Sequence, residues 1–250
     1  MNCVDACPHG SLEFRFFRKL QTPPEVLGTN LSRRKALVAA LTGLAIVPLL
    51  RAQSALGKSR SERLIRPPGA LHEAEFLSRC IRCGECVRVC PNDALQTAFT
   101  EAALMGLWSP VVTPKIGYCE PSCVLCSEVC PTGAIQKLTQ QQKGWIAEEG
   151  EFPTSLIIGT AVYDQRICLP WAEATDCVIC LEWCPVTPKA IFAKDAVVVD
   201  VEGKSRAIKQ PHVDINRCVG CGACEFACPL QDQPGVYVTS NRESRSRLPT

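Results

Sequence analysis

The hydrophobic and polar positions divide the chain into five stretches. Residues 1–31 mix charged and apolar positions without a helical or strand period. Ala36 to Leu50 is a fifteen-residue run without a charge, opened by Ser32-Arg33-Arg34-Lys35 and closed by Arg51. That length is short for a helix crossing a bilayer and suits the apolar region of an export signal. Residues 55–69 are polar, end in Pro67-Pro68-Gly69, and predict a linker. Residues 70–79 predict a short helix, with Phe76 and Leu77 on its inner side. Ile158 to Ile167 predicts a strand. Ala196 to Val201 and Ala207 to Ile215 flank Glu202-Gly203-Lys204 and predict a hairpin, and Val236 to Val238 a closing strand. From Asn241 the chain is charged, without apolar periodicity, and predicts a disordered tail over 241–250.

Composition changes this picture at one residue type. Aromatics are only 6%, and 19 prolines and 16 glycines leave an apolar core thin for 250 residues. Yet there are 18 cysteines. Sixteen of them form four groups, and every group ends in Cys-x3-Cys-Pro. The first is Cys80, Cys83, Cys86 and Cys90, then Pro91; the last is Cys218, Cys221, Cys224 and Cys228, then Pro229. Between them lie Cys119, Cys123, Cys126 and Cys130 before Pro131, and Cys168, Cys177, Cys180 and Cys184 before Pro185. The first and last groups have the C-x2-C-x2-C-x3-C-P run that holds iron–sulfur cubanes. Three cysteines at i, i+3 and i+6 let one loop wrap a cluster, and the fourth reaches a second one. Four cysteines per cubane predict four [4Fe-4S] clusters, which would replace much of the missing core.

The phrase after each proline also repeats. Pro91-Asn92-Asp93-Ala94-Leu95 matches Pro131-Thr132-Gly133-Ala134-Ile135, and Pro185 leads by a longer path to Ala190-Ile191. The proline suits the first position of a short helix, the alanine close packing, and the Leu or Ile a lid against water. Zinc sites use two separated C-x2-C pairs rather than this run, and C-x2-C pairs make poor structural disulfides. The three histidines are not placed as Rieske ligands, and no C-x-x-C-H suggests haem. A net charge of +2 without a basic stripe argues against nucleic acid. No nucleophile–base pair, phosphate loop or dinucleotide fingerprint points to catalysis within the chain. Glu85 and Asp176 beside the cysteines suit tuning or docking.

The arginine pair before the apolar run suggests a twin-arginine signal over 32–54, cleaved after Ala52-Gln53-Ser54 or kept as an anchor. Clusters are built before export, so such a chain would cross folded. Arg15, Arg18, Lys19, Arg33, Arg34 and Lys35 would stay cytoplasmic, and residues after about 55 would face the periplasm. Cys3-x3-Cys7-Pro8 in residues 1–31 is the tail of a further motif lacking its first two cysteines. Two thiols cannot hold a cubane, so these are not counted as ligands.

Arg66-Pro67-Pro68-Gly69-Ala70-Leu71, followed by Glu75-Phe76-Leu77 and Cys80-Ile81-Arg82-Cys83-Gly84, resembles the NapG/MauM family of ferredoxin-type proteins. The resemblance covers roughly residues 32–238. It implies a periplasm-facing polyferredoxin with four [4Fe-4S] clusters, working beside a membrane polyferredoxin of the NapH/MauN kind. Electrons would pass from quinol toward a periplasmic cytochrome or terminal reductase. Residues 1–31 resemble the end of that membrane partner. The x3 gap between Cys119 and Cys123 departs from the family pattern and puts ligation there in doubt.

The expected fold is α+β, two bacterial-ferredoxin-like modules over 70–240 after an apolar signal or anchor helix. Neighbouring groups could pair, or the middle two could form an inserted module while the first pairs with the last. The spacing shared by first and last favours the nested arrangement. Gly84, Gly220 and Gly222 free backbone N–H groups near sulfurs, whereas Val178 and Ile179 predict a drier third site. Two other readings stand beside electron transfer from quinol: an iron–sulfur subunit of a molybdenum or hydrogenase-type enzyme, and a module whose metals only hold the fold.

Overall fold

A computed structural model describes Thr42 and residues 62–99, 101–145, 156–199, 203–230 and 232–246. Residues 1–31, with Cys3 and Cys7, and the apolar run 36–50 apart from Thr42 lie outside the described residues. Among the described residues no helix is long and apolar enough to cross a membrane. The chain divides into Met1–Ala52 and Gln53–Thr250. Of the first unit only Thr42 is described, in helical conformation.

The second unit contains two modules of one plan. In the first, helix α1 (Glu73–Arg79) precedes the first cysteine, and α2 (Glu85–Arg88) lies inside the first group. Strands β1 (Leu95–Thr97) and β2 (Pro110–Val112) pair antiparallel, Leu95 opposite Val112. Helix α3 (Leu125–Glu128) lies inside the second group, and α4 (Gln140–Lys143) follows it. The module closes where Ala70, before the first group, bridges Ile135, after the second.

The second module repeats this at greater length. Strand β3 (Thr160–Tyr163) leads to α5 (Leu169–Ala172) and α6 (Ile179–Glu182) in the third group. Strands β4 (Ile191–Val199) and β5 (Ser205–Val213) form the hairpin, Ile191 opposite Val213. Its connection includes Gly203 at φ +80°. Helix α7 (Ala223–Phe226) sits in the fourth group, and β6 (Val236–Thr239) returns antiparallel to β3, Thr160 opposite Thr239. In each module the first and last segments pair and a hairpin fills the middle. This is the expected α+β arrangement, but built from neighbouring groups: first with second, third with fourth. The nested arrangement is therefore wrong. The β3–β6 pairing closes the third and fourth groups on each other, and the Ala70–Ile135 bridge does the same for the first and second.

Three local expectations also change. The post-cysteine prolines Pro91 and Pro131 open turns, not helices. The short helices lie instead before the last cysteine of each group. Residues 64–69 are no linker. Leu64, Ile65 and Arg66 are buried, because Leu71 N–H donates to Ala134 O and Val112 N–H donates to Ile65 O. Residues 241–246 are no disordered tail. Ser244 N–H donates to Ile157 O at 2.7 Å, and the buried Arg245 reaches Glu73 at 2.6 Å.

One apolar core runs through both modules, from Phe76 and Ile135 to Val236 and Val238, and the cysteines themselves are part of it. Arg66 is its most demanding member. It is fully buried, with Nε and Nη2 on Glu73, Nη1 on Ser109 Oγ and Pro110 O, and its guanidinium 4.7 Å from the Phe76 ring centroid. Glu73 serves Arg66 and Arg245 together and keeps some exposure. Glu73→Ala therefore leaves a buried guanidinium without its counter-charge and is expected to cost about 3 kcal/mol. Arg66→Met removes that charge and leaves Glu73 paired with Arg245, so the loss is smaller. Urea midpoints of the two variants test this order.

Candidate iron–sulfur sites

Each loop of three cysteines curls around its own hollow, and the fourth cysteine crosses to the neighbouring hollow. Site I is lined by Cys80, Cys83 and Cys86 with Cys130, around a cavity of about 360 Å³. Site II is lined by Cys119, Cys123 and Cys126 with Cys90, about 380 Å³. Site III takes Cys168, Cys177 and Cys180 with Cys228, about 330 Å³. Site IV takes Cys218, Cys221 and Cys224 with Cys184, about 320 Å³. All sixteen expected residues are thus gathered in four sets of four, all as free thiols. The crossing follows from the helix before each last cysteine. It carries Cys90, Cys130, Cys184 and Cys228 away from their own loops.

The repeated phrase closes the walls. Ala94 and Leu95 line site II, Ala134 and Ile135 line site I, and Ala190 and Ile191 line site IV, all six buried. Leu230 lines site III, where the phrase is missing. Phe76 faces site I. A four-thiolate donor set around an apolar hollow in each case fits a cubane. Among the described residues no three His, Cys, Asp or Glu side chains converge to grip a single metal ion. Zinc needs its four ligand atoms within about 2.3 Å of one centre, while a cubane holds its sulfurs farther apart.

Burial is uneven. At site I Cys83 is exposed and Cys80 and Cys130 are half-buried, while at site IV all four cysteines are buried. The driest site is therefore the fourth, not the third, where Cys177 stays half-exposed. The reason is backbone, not side-chain bulk. Gly220 and Gly222 have φ of +77° and +89°, and without Cβ atoms they let Gly159 and Pro114 pack directly over the loop.

The sulfurs receive specific partners. Ile135 N–H donates to Cys130 Sγ and Ala161 N–H to Cys218 Sγ, both at 3.4 Å. The Tyr163 hydroxyl lies 3.1 Å from Cys180 Sγ. Lys143 Nζ donates to Cys119 Sγ at 3.4 Å. Tyr163 and Lys143 carry no motif, lie outside the cysteine groups, and are not identifiable from spacing. Burial, then neighbouring sulfurs, pushes the Cys86 thiol up to about 12, and burial with Cys180 and Cys177 does the same at Cys168. Burial lifts Cys119 to about 11 against the pull of Lys143. At Cys130 burial works upward, but the N–H groups of Ile135, Thr132 and Ala134 and the Thr132 hydroxyl outweigh it and hold the thiol below its ordinary value. The raised thiols of Cys86, Cys119 and Cys168 are neutral without metal, so loading their sites displaces protons.

The four sites form a row. Helix α2 packs on α3, and Cys86 of site I is close enough to act electrostatically on Cys126 of site II. Cys119 N–H, from site II, donates to Cys221 O, from site IV, at 2.8 Å. Helix α6 packs on α7, and Cys180 of site III acts on Cys224 of site IV. The order is I, II, IV, III. Tyr118 seals the junction of the modules, its ring centroid 6.0 Å from that of Trp183 and 5.5 Å from that of Phe226.

A family described as the 4Fe-4S binding domain matches residues 76–96, and a second model with that description matches 209–230. These contain the two groups of unmodified spacing. The chain is 33% identical over 202 residues to the methylamine utilization ferredoxin-type protein MauM of Methylorubrum extorquens, covering 79% of this chain and 80% of that one. It is 34% identical over 210 residues to the ferredoxin-type protein NapG of Escherichia coli, covering 81% of each. The ferredoxin-type protein NapF of Escherichia coli is 28% identical over 174 residues, 70% of this chain and 85% of that one. No solved structure matches the chain. Identity at this level across most of both chains, together with the two 4Fe-4S binding-domain matches, makes this chain a member of the NapG/MauM family of ferredoxin-type iron–sulfur proteins.

Proposed function

We propose that the chain carries four [4Fe-4S] clusters, one in each set of four cysteines, and conducts electrons along the row I–II–IV–III. Bound there, such clusters supply one-electron carriage at potentials set by charge, hydrogen bonds to sulfur and exposure. The observation that supports this reading is the row itself: each site neighbours the next through the segments that carry its cysteines, and the exposed Cys83 stands at site I, one end. The protein's own part is to hold thiolates, exclude water at site IV, and place N–H and O–H donors on chosen sulfurs.

In this reading the electrons come from a quinol-oxidising membrane partner and go to a periplasmic cytochrome or terminal oxidoreductase. The names of the relatives, ferredoxin-type proteins and one of them from methylamine utilization, support redox partners in general. The chain would be exported folded on the twin-arginine route, or anchored by residues 36–50, with residues after about 55 on the periplasmic side. Residues 1–31 would be the end of a membrane polyferredoxin fused ahead of it.

The test is iron and acid-labile sulfide on anaerobically purified protein, with EPR during a potentiometric titration. About sixteen of each per chain, in several reducible cubane signals, is the expected result. Zinc in place of iron, or metals that remain spectroscopically silent, would remove the electron-transfer reading.

A further inference from the structure

Site II has a feature that the other three do not share. Its loop is the one with the longer first gap, Cys119-x3-Cys123. The carbonyls of Glu120 and Cys123, one inside that gap and one closing it, both turn to a single side chain. Lys143 Nζ donates to Glu120 O at 2.6 Å, to Cys123 O at 2.7 Å and to Cys119 Sγ at 3.4 Å. Those three contacts use all the donors of an ammonium and fix its position. The side chain is fully buried, and its Nζ stands 4.1 Å from the centroid of the Trp145 ring, itself buried and held by Nε1–H donating to Leu156 O. Helix α4, which presents the lysine, is anchored by a capping box between Thr139 and Gln142. Among the described residues no carboxylate lies within ion-pair distance of this charge. What faces it is a ligand sulfur.

A buried cation without a carboxylate partner is costly unless something negative compensates it. A cluster with four thiolates is negative, and becomes more so on reduction. The nearby cation favours the reduced form, and burial keeps solvent from damping the effect. The other hydrogen bonds to sulfur, those from Ile135, Thr132, Ala161 and Tyr163 among them, come from neutral groups, which are about half as strong. Arg242 acts on Cys218 through its charge, as the last-ranked influence there and without a hydrogen bond to the sulfur.

We propose that Lys143 is a potential-setting residue that makes the cluster of site II the first of the four to be reduced, so that the first electron taken up rests beside the junction of the two modules. This rests on the reading that site II holds a cubane. It explains the longer gap as the seat of the lysine rather than as a failure of ligation.

The experiment uses the full-length, cluster-loaded chain. With lysine labelled by ¹⁵N at Nζ only, pulsed EPR at the onset of reduction is expected to detect ¹⁵N coupling on the first cubane signal. Lys143→Gln abolishes that coupling. It also lowers the midpoint of that signal so that the reduced-to-oxidised ratio at a fixed potential drops at least tenfold, about 59 mV for one electron. Lys143→Arg keeps the charge and restores most of the midpoint, which a merely structural role would not predict. A first signal without ¹⁵N coupling, or a Lys143→Gln midpoint equal to that of the parent, overturns the proposal. If Lys143→Gln loads fewer than four cubanes, the labelled parent chain decides alone. A parent chain without cubanes would instead sink the reading beneath it.

Discussion

Cys130→Ala removes the cluster of the first cysteine group, not that of its own. The residue follows Cys119, Cys123 and Cys126 in sequence, yet it lines site I with Cys80, Cys83 and Cys86. Double substitutions make the result decisive. Cys86→Ala with Cys130→Ala damages one site, so iron falls from about sixteen to about twelve per chain, no lower than for either alone. Cys126→Ala with Cys130→Ala damages two sites and leaves about eight. If each group held its own cluster, the two results would exchange places. Iron analysis on anaerobically purified protein reads the difference directly, and the same contrast applies to Cys184 with Cys221 against Cys184 with Cys180.

Gly220→Ala is expected to prevent site IV from forming, while Gly84→Ala is tolerated. Both glycines have left-handed backbone, φ +77° and +78°. An alanine there carries a conformational cost of about 1–2 kcal/mol. The surroundings decide the rest. A Cβ at Gly84 meets nothing within 4 Å, but one at Gly220 would stand 2.5 Å from the backbone N, C and O of Gly159. That backbone cannot yield cheaply, because Gly159 is pressed in turn on Thr239 O beside the β3–β6 pair. Loss of about four irons in Gly220→Ala, against full loading with a slightly lowered thermal midpoint in Gly84→Ala, is the expected outcome. Equal behaviour of the two would mean that the close approach at Gly159 is unimportant.

The site was far more legible in the sequence than the fold around it. Cysteine spacing is a local property: i, i+3 and i+6 in the first and last groups define one loop each, and the structure folds them accordingly. The Ala-Leu and Ala-Ile phrases are legible as wall residues, because a small then a large apolar residue has few other uses beside a hollow. The hairpin around Gly203 was likewise legible, since strand alternation and a turn residue are local signals, although β4 begins earlier than the apolar run suggests. Local pattern misleads where burial depends on distant chain. Residues 64–69 end in a linker-like Pro67-Pro68-Gly69, but Arg66 finds Glu73, Ser109 and Pro110 waiting. Residues 241–246 carry charge, but Arg245 meets Glu73 across the whole unit.

By itself, then, the sequence determined the cysteine spacing, the loops that this spacing folds and the family. Each of these follows from residue identity at short spacing, which no later packing can change. Only the tertiary structure decided which groups pair, the order I–II–IV–III, that site IV is driest, and that a lysine charge sits on site II. Those outcomes depend on which backbone closes on which. The Ala70–Ile135 bridge, the Gly220–Gly159 approach, the Cys119–Cys221 hydrogen bond and the Lys143–Cys119 contact each join residues 24 to 102 positions apart, at separations that carry no local signal.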